Sequence, residues 1–268
     1  MTPYTFKDLL SAYGSVGVTR GRVVIVCGDF GRLMAFENPD KEATLKAHFD
    51  ALLELLGPDG TIVVPSHSLN LVGTDTPFDP ATTPSFRAGA FSEYVRTRPG
   101  ATRSFHPYVS YAAFGKHAAA VTGDVTRHVF GPETPEARLI ELDALHIGVG
   151  MPVRITQATV HHLEQIMGVP YRYTREYLHP VVRSGEVRTE PFYMFVRYLA
   201  SGVERNYNKR IFELFERDEP IRRAPLGRSE VAAYGMRALY ERGIGIFKRD
   251  LFVWAECRPP NPVYREMH

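Results

Sequence analysis

The segment Ala158-Thr159-Val160-His161-His162-Leu163-Glu164 holds two kinds of group that can move a proton, an imidazole and a carboxylate, within a few residues of each other. It contains neither Gly nor Pro, which allows a helix, and on a helix His161 and Glu164 stand three apart and share a face. That pairing suits a histidine base with a carboxylate beside it. His162 is rotated by about 100° from His161 on a helix, so the two histidines cannot do the same job. The alternative is that one histidine packs in the core and the other is solvated, and the segment by itself leaves both readings open.

The elements that must position these groups follow from the apolar pattern. Val23-Val24-Ile25-Val26 is β-branched and ends at Cys27-Gly28-Asp29, which predicts a buried strand running into a loop. From Glu42 to Leu56, Leu45, Phe49, Leu52, Leu53 and Leu56 recur at helical spacing until Gly57-Pro58 stops the run. Thr61 to Pro65 is a second buried strand, and strand, helix, strand at this spacing argues for a parallel pair in a layered α/β fold. A Pro-rich loop from Thr74 to Ser85, a helix from Gly89 to Val95, and strands at Tyr111 to Phe114 and Ala144 to Val149 complete the first part. After about residue 170 the pattern predicts a strand over Glu190 to Leu199 and helices over roughly 204 to 216 and 228 to 242. The expected fold is α/β, one domain over 1–268. Its layered α/β/α body, about 1–170, has a central, partly parallel sheet, and a smaller C-terminal α+β lobe covers about 171–268.

Composition narrows the function classes. With 268 residues and 44% apolar side chains, the chain can bury a substantial core. Lys plus Arg number 32 against 30 Asp plus Glu, so a net charge of +2 gives no broad basic field for nucleic acid or an anionic membrane. Cys27 and Cys257 form neither a disulfide framework nor a paired zinc-ligand spacing, and read as reduced thiols. The first residues lack a secretory pattern, and no window approaches the roughly 20 apolar residues of a membrane span, so a cytoplasmic location is expected.

Ligands of open α/β sheets bind beyond the carboxyl ends of the strands, which makes Cys27 to Phe30, Ser66 to Ser68 and Gly148 to Gly150 candidate rims of one crevice. Gly28, Gly31, Gly148 and Gly150 would let backbone amides approach a phosphate or carbonyl oxygen, although most loop glycines only turn the chain. Neither a Walker-type nor a complete dinucleotide-binding glycine pattern is present, and the Gly-x-Ser-x-Gly nucleophile elbow is absent. His106, His128, His161 and His162 would form a zinc site of a hydrolase only if they converged in space.

Several phrases, in order along the chain, resemble the aminoglycoside 3-N-acetyltransferase family. They are Gly60 to Pro65, Phe78-Asp79-Pro80 with Thr83-Pro84-Ser85, Pro99-Gly100 with Arg103-Ser104-Phe105-His106-Pro107, Ser110 with Ala112-Ala113, Thr134-Pro135 with Ala137-Arg138-Leu139, Leu142-Asp143, and Gly148-Val149-Gly150. Thr159, His161 and Glu164 match the family's Thr-x-x-His-x-x-Glu phrase with one residue missing between the first two. The resemblance implies acetyl transfer from acetyl-coenzyme A, a co-substrate, to a primary amine of an amino sugar, with no metal. It makes His161 the catalytic histidine and Glu164 its helical neighbour. It places Cys27, Gly28, Phe30, Gly31, Arg103, Ser104 and His106 at the coenzyme, with His106 before Pro107 equally suited to holding a turn. A histidine titrating near neutrality can deprotonate an ammonium so that the amine attacks the thioester directly, with loop amides on the oxyanion.

Departures from the family pattern bear on the acceptor. Where aminoglycoside-modifying members have His-Ser-Ser after the first strand, this chain has Cys27-Gly28-Asp29. That loop and Gly168-Val169-Pro170-Tyr171-Arg172-Tyr173 look more like relatives associated with surface-polysaccharide amino sugars. The expected acceptor is therefore an amino sugar of lower positive charge, nucleotide-linked or a glycan precursor, with Asp29 at its amine and Arg172 or Arg175 at its phosphates. An aminoglycoside is the alternative, Asp29 has a second reading as a strand-end cap, and a homo-oligomer is left open.

Overall fold

Val23, Ile25 and Cys27 point into one apolar cluster while Val24 and Val26 point into another, so the first strand is buried on both faces. That alternation organises the whole molecule. The computed structural model describes residues 3–34, 36–156, 158–198, 210–218, 221–255 and 258. In chain order its elements are α1 (Phe6–Ser15), β1 (Val23–Gly28), α2 (Lys41–Leu56), β2 (Thr61–Pro65), α3 (Ala90–Arg96), β3 (Thr102–Arg103), β4 (Tyr111–Gly115), α4 (Ala118–Thr122) and α5 (Pro135–Glu141). There follow β5 (Leu145–Val149), α6 (Val153–Thr156), α7 (Thr159–Ile166), β6 (Arg172–Arg183), β7 (Glu186–Arg197), α8 (Arg210–Glu216), β8 (Arg222–Leu226), β9 (Ser229–Gly235) and α9 (Met236–Arg249).

Seven strands form one sheet in the order β3-β4-β2-β1-β5-β9-β8. The central trio β2, β1 and β5 is parallel, and antiparallel strands extend it on both sides. α1, α2 and α3 contribute Leu9, Leu52 and Phe91 to the cluster on one face, while α5, α7 and α9 contribute Leu139, Leu163 and Leu239 to the other. The fold is thus the expected layered α/β body. A two-stranded ribbon, β6 with β7, projects from it, closed by Ser184 and Gly185 at φ 51° and 83°, the paired positive values of a tight hairpin turn. Phe78, Tyr108, Val181 and Phe192 dock the ribbon on the body.

The C-terminal part corrects the sequence reading in two places. The smaller lobe does not extend over 171–268: the described chain beyond the ribbon returns to the body, where β8 and β9 complete the large sheet. The helix expected over 228–242 is instead a strand followed by a helix. Val231-Ala232-Ala233-Tyr234 pairs with β5 and is buried on both faces, so sheet packing overrides the helical propensity of its alanines. Residues 204–209 of the other expected helix, Leu199 and Cys257 lie outside the described residues, and Cys27 is a free, buried thiol. Among the described residues, no helix is long and apolar enough to cross a membrane.

Candidate functional site

α7 places its residues by simple periodicity. Val160 and Leu163 enter the core cluster beneath it, His162 and Glu164 are buried, and the His161 side chain keeps 20% of its surface exposed. The two histidines therefore part as the spacing predicts. His162 Nδ1 accepts a hydrogen bond from the Gly131 amide at 3.4 Å, its ring stands edge-on to Tyr240, and burial pushes its pKa down to about 4. It is a neutral packing histidine. His161 Nδ1 lies 2.5 Å from Glu164 Oε2.

Glu164 is fully buried, yet every group facing its carboxylate stabilises negative charge. Tyr171 Oη donates to Oε1 at 2.9 Å. Arg172 Nε stands 2.9 Å from Oε2, close enough to pair its charge although not aligned as a hydrogen bond. Burial alone would raise this pKa; His161, Arg172 and Tyr171 together outweigh it and hold Glu164 below the ordinary carboxylate value. The ionised carboxylate in turn selects the His161 tautomer with its proton on Nδ1, which leaves the lone pair on Nε2, the form a general base requires. Arg172 Nη2 also lies 3.3 Å from His161 Nδ1, a longer contact than the 2.5 Å one from that nitrogen to Glu164 Oε2. The rings of Phe130 and Trp254 flank His161 with centroids at 6.0 and 6.4 Å.

Arg172 is therefore not a free cation awaiting a substrate phosphate. Besides pairing with Glu164, it donates from Nη1 to the Phe195 carbonyl at 3.1 Å, and its side chain is only 7% exposed. Arg175 is exposed, with its guanidinium 5.0 Å from the Tyr177 ring. An odd separation along β6 puts Arg172 and Arg175 on opposite faces of the ribbon, so the two do not converge on one anion.

The residues after β1 form a second group. Gly28 has φ 153°, and a Cβ there would lie 2.0 Å from the Val149 carbonyl oxygen, so only glycine fits this crossing of the β1 and β5 ends. The Asp29 amide donates to that carbonyl at 2.9 Å, and the Asp29 carboxylate accepts from the Gly31 amide at 3.1 Å as cap of the turn Phe30–Arg32. The strand-end-cap reading of Asp29 thus describes its observed contact. Both amides are thus engaged within the loop. Asp29, Phe30 and Gly31 line a cavity of about 410 Å³ with Met34, Phe36 and Lys41, whereas the Cys27 side chain points into the core.

Arg103, Ser104 and His106 form a third group, bound up in holding loops together. Arg103 donates to the Ser66 carbonyl at 2.6 Å, to Ser110 Oγ at 2.9 Å and to the Thr83 carbonyl. Ser104 Oγ is buried and accepts from the Tyr111 amide. His106 Nδ1 accepts from the Val109 amide at 3.1 Å, and burial pushes its pKa down to about 3. The turn-holding reading of His106 matches these contacts. His128 is stacked on Tyr193 and near enough to His106 to act on it electrostatically, and among the described residues no group of three or more His, Cys, Asp or Glu is placed to hold a metal ion. Sequence reasoning missed Tyr171 as a Glu164 partner, and also Phe130 and Trp254; Tyr171 was visible in the phrase 168–173, while the two rings carry no local signal.

Comparison with known proteins agrees with the sequence resemblance. The family described as aminoglycoside 3-N-acetyltransferase matches residues 33–248. Aminoglycoside N(3)-acetyltransferase IV of Salmonella sp is 35% identical over 173 residues, 63% of this chain and 61% of that protein. The chain thus matches about three-fifths of the length of that relative. Aminoglycoside N(3)-acetyltransferase III of Enterobacter cloacae is 27% identical over 202 residues, 69% of this chain and 68% of that protein. Among solved structures, aminoglycoside acetyltransferase AAC(3)-Xa superposes with a TM-score of 0.79 at 23% identity, covering 93% of this chain and 94% of that one. AAC-IIIb in its binary complex with CoASH gives 0.77 at 21% identity, covering 96% and 100%.

Proposed function

The chain belongs to the aminoglycoside 3-N-acetyltransferase family, and from that premise we propose that it transfers acetyl from acetyl-coenzyme A to a primary amine of an aminoglycoside-type amino sugar, with His161 as general base. The observation that carries this reading is the buried, ionised Glu164 with His161 Nδ1 at 2.5 Å. It orients the imidazole through Nδ1 while part of the His161 side chain stays exposed.

In this reading the acceptor arrives as an ammonium and gives one proton to His161 Nε2. Its nitrogen lone pair forms the new bond to the thioester carbonyl carbon, and the resulting imidazolium is stabilised through Nδ1 by Glu164. Collapse of the tetrahedral adduct breaks the carbon–sulfur bond. The electron pair leaves with sulfur, the thiolate takes the second proton of the adduct nitrogen to give coenzyme A and the N-acetyl product, and His161 releases its proton to solvent. The cavity at Asp29, Phe30 and Gly31 supports placing part of the coenzyme beyond the end of β1. Arg172 and Tyr171 act on Glu164 rather than on substrate.

A second acceptor, a nucleotide-linked or glycan-precursor amino sugar, is favoured by charge. On the ribbon, Glu190 is paired with both Arg183 and Arg127, and Arg175 is exposed. The relatives' names favour the aminoglycoside.

Thiol release from acetyl-coenzyme A, measured against a panel of aminoglycosides and of neutral and nucleotide-linked amino sugars, tests both. His161→Ala is expected to lower transfer by about 10²-fold or more while coenzyme A still binds. Full activity in that variant would overturn the mechanism, and wild-type protein that releases no thiol with any amine would overturn the activity.

A further inference from the structure

Beneath α7 lies a second buried carboxylate, which the proposed chemistry does not use. Glu136 on α5 is 1% exposed and accepts two hydroxyl hydrogen bonds, one on each oxygen: Thr159 Oγ1 to Oε1 at 2.7 Å and Tyr111 Oη to Oε2 at 2.9 Å. It thereby joins three elements, the helix α5, the sheet strand β4 and the first residue of α7.

That first residue is where α7 needs support. The residue before it, Ala158, offers no side-chain cap, and the helix is eight residues long. A helix this short without a side-chain cap frays readily, and here the turn is held at the backbone by the His161 amide donating to the Ala158 carbonyl at 2.9 Å. His161 sits in that first turn, two residues after Thr159. The buried tie from Thr159 to Glu136 replaces the missing cap as the fixture of the turn, and through Tyr111 it is referenced to the sheet.

We propose that Glu136 is a positioning residue: it holds Thr159, and so sets where the first turn of α7 presents His161 to the acceptor amine. The proposal rests on the reading of His161 as the base. A carboxylate suits the role because both of its partners are donors and it presents an acceptor to each. A misplacement of about 1 Å at the reacting groups can cost about 10²-fold in rate.

The test is Thr159→Val, which keeps the volume and removes the hydroxyl, with Thr159→Ser as the restoring variant. Coenzyme A binding stoichiometry is measured on each, so that turnover is expressed per binding-competent molecule and a loss of folded protein is removed from the comparison. Thr159→Val is expected to lower kcat per binding site by about tenfold or more, with KM for acetyl-coenzyme A and amine within about threefold, and Thr159→Ser to recover most of that loss. Wild-type kcat per site in Thr159→Val, or no recovery in Thr159→Ser, would overturn the proposal. In a His161→Ala background the valine substitution is expected to have no further effect. The same loss in that background shows that the tie acts on something other than His161 and equally overturns the proposal. The failure of the base assignment itself reads out separately, as activity retained in His161→Ala alone.

Discussion

Two carboxylates, one on each side of the first turn of α7, are both removed from water and behave in opposite ways. Glu164 is 0% exposed and sits below the ordinary carboxylate pKa; Glu136 is 1% exposed and sits above it, burial outweighing the hydroxyls of Thr159 and Tyr111. Desolvation acts on both in the same direction. What differs is the partners: Glu164 faces an imidazole, a guanidinium and a phenol, and Glu136 faces two neutral hydroxyls. Two hydroxyls satisfy the hydrogen bonds of Glu136 without offsetting the cost of burying its charge, whereas the groups around Glu164 offset it. One carboxylate is thereby fitted to charge chemistry and the other to holding a shape.

The comparison can be broken at the Glu164 end first. Glu164→Gln presents His161 with a neutral amide and removes the charge that selects its tautomer and stabilises its protonated form. We expect kcat to fall by about 10²-fold at saturating acetyl-coenzyme A. Steady-state kinetics check this, and a kcat close to wild type would show that the charge is not used.

Arg172→Met is the subtler break, since it leaves both carboxylates in place and makes the surroundings of Glu164 resemble those of Glu136. Loss of the guanidinium raises the Glu164 pKa, so the carboxylate protonates at a higher pH than before. The acid limb of the kcat/KM profile should move to higher pH, with a loss of about tenfold on that limb. An acid limb that stays in place would mean that Arg172 does not set the Glu164 charge.

The smallest effect on activity and a measurable one on stability come from the neutral histidines. Burial holds His48, His106 and His146 down to about 3 and His67 and His162 down to about 4. The unfolded chain takes up protons at these positions near pH 6.5, the native state only near 3 to 4. Native stability is therefore complete above about pH 6.5 and is lost as pH falls from there towards 4, by up to about 1.4 kcal/mol per pH unit for each histidine. Denaturant titrations between pH 7 and 5 would show this slope. His48→Gln should make it shallower by one histidine's share, His48 being held between the hydroxyls of Tyr4 and Tyr13; a pH-independent stability would contradict the burial argument.

Much of the body was legible in the sequence because its signals are local. The β-branched run at Val23–Val26, the spaced leucines of α2 and the Gly/Pro-free segment at 158–164 each carry their structure within a few residues. The contact of His161 with Glu164 was legible for the same reason, since a separation of three is a local relation on a helix. The pairing of Arg172 with Glu164 was not legible because it depends on β6 returning Arg172 to α7, a long-range fact without periodic signal. Glu136 escaped notice inside the phrase Thr134-Pro135 with Ala137, where a glutamate in the first turn of a helix reads as ordinary. Arg103, Ser104 and His106 stood out as polar residues in a loop, but loops need internal hydrogen bonds as much as ligands do. The helix expected at 228 failed because alanines pack as well in a central strand as in a helix.

The glycine crossing of the β1 and β5 ends has a consequence for modularity. Gly28 against the Val149 carbonyl, and Gly150 against the Asp29 carbonyl, weld the loop at 29–31 to the segment that leads into α7 by backbone alone. No side chain takes part, so neighbouring residues can be exchanged without moving the two halves apart. The ribbon β6–β7 is attached differently, through side chains such as Phe78, Val181 and Phe192 and through Arg172 at its base. The molecule therefore joins the frame around α7 by backbone contacts and its hairpin by side chains, two kinds of attachment that respond differently to substitution.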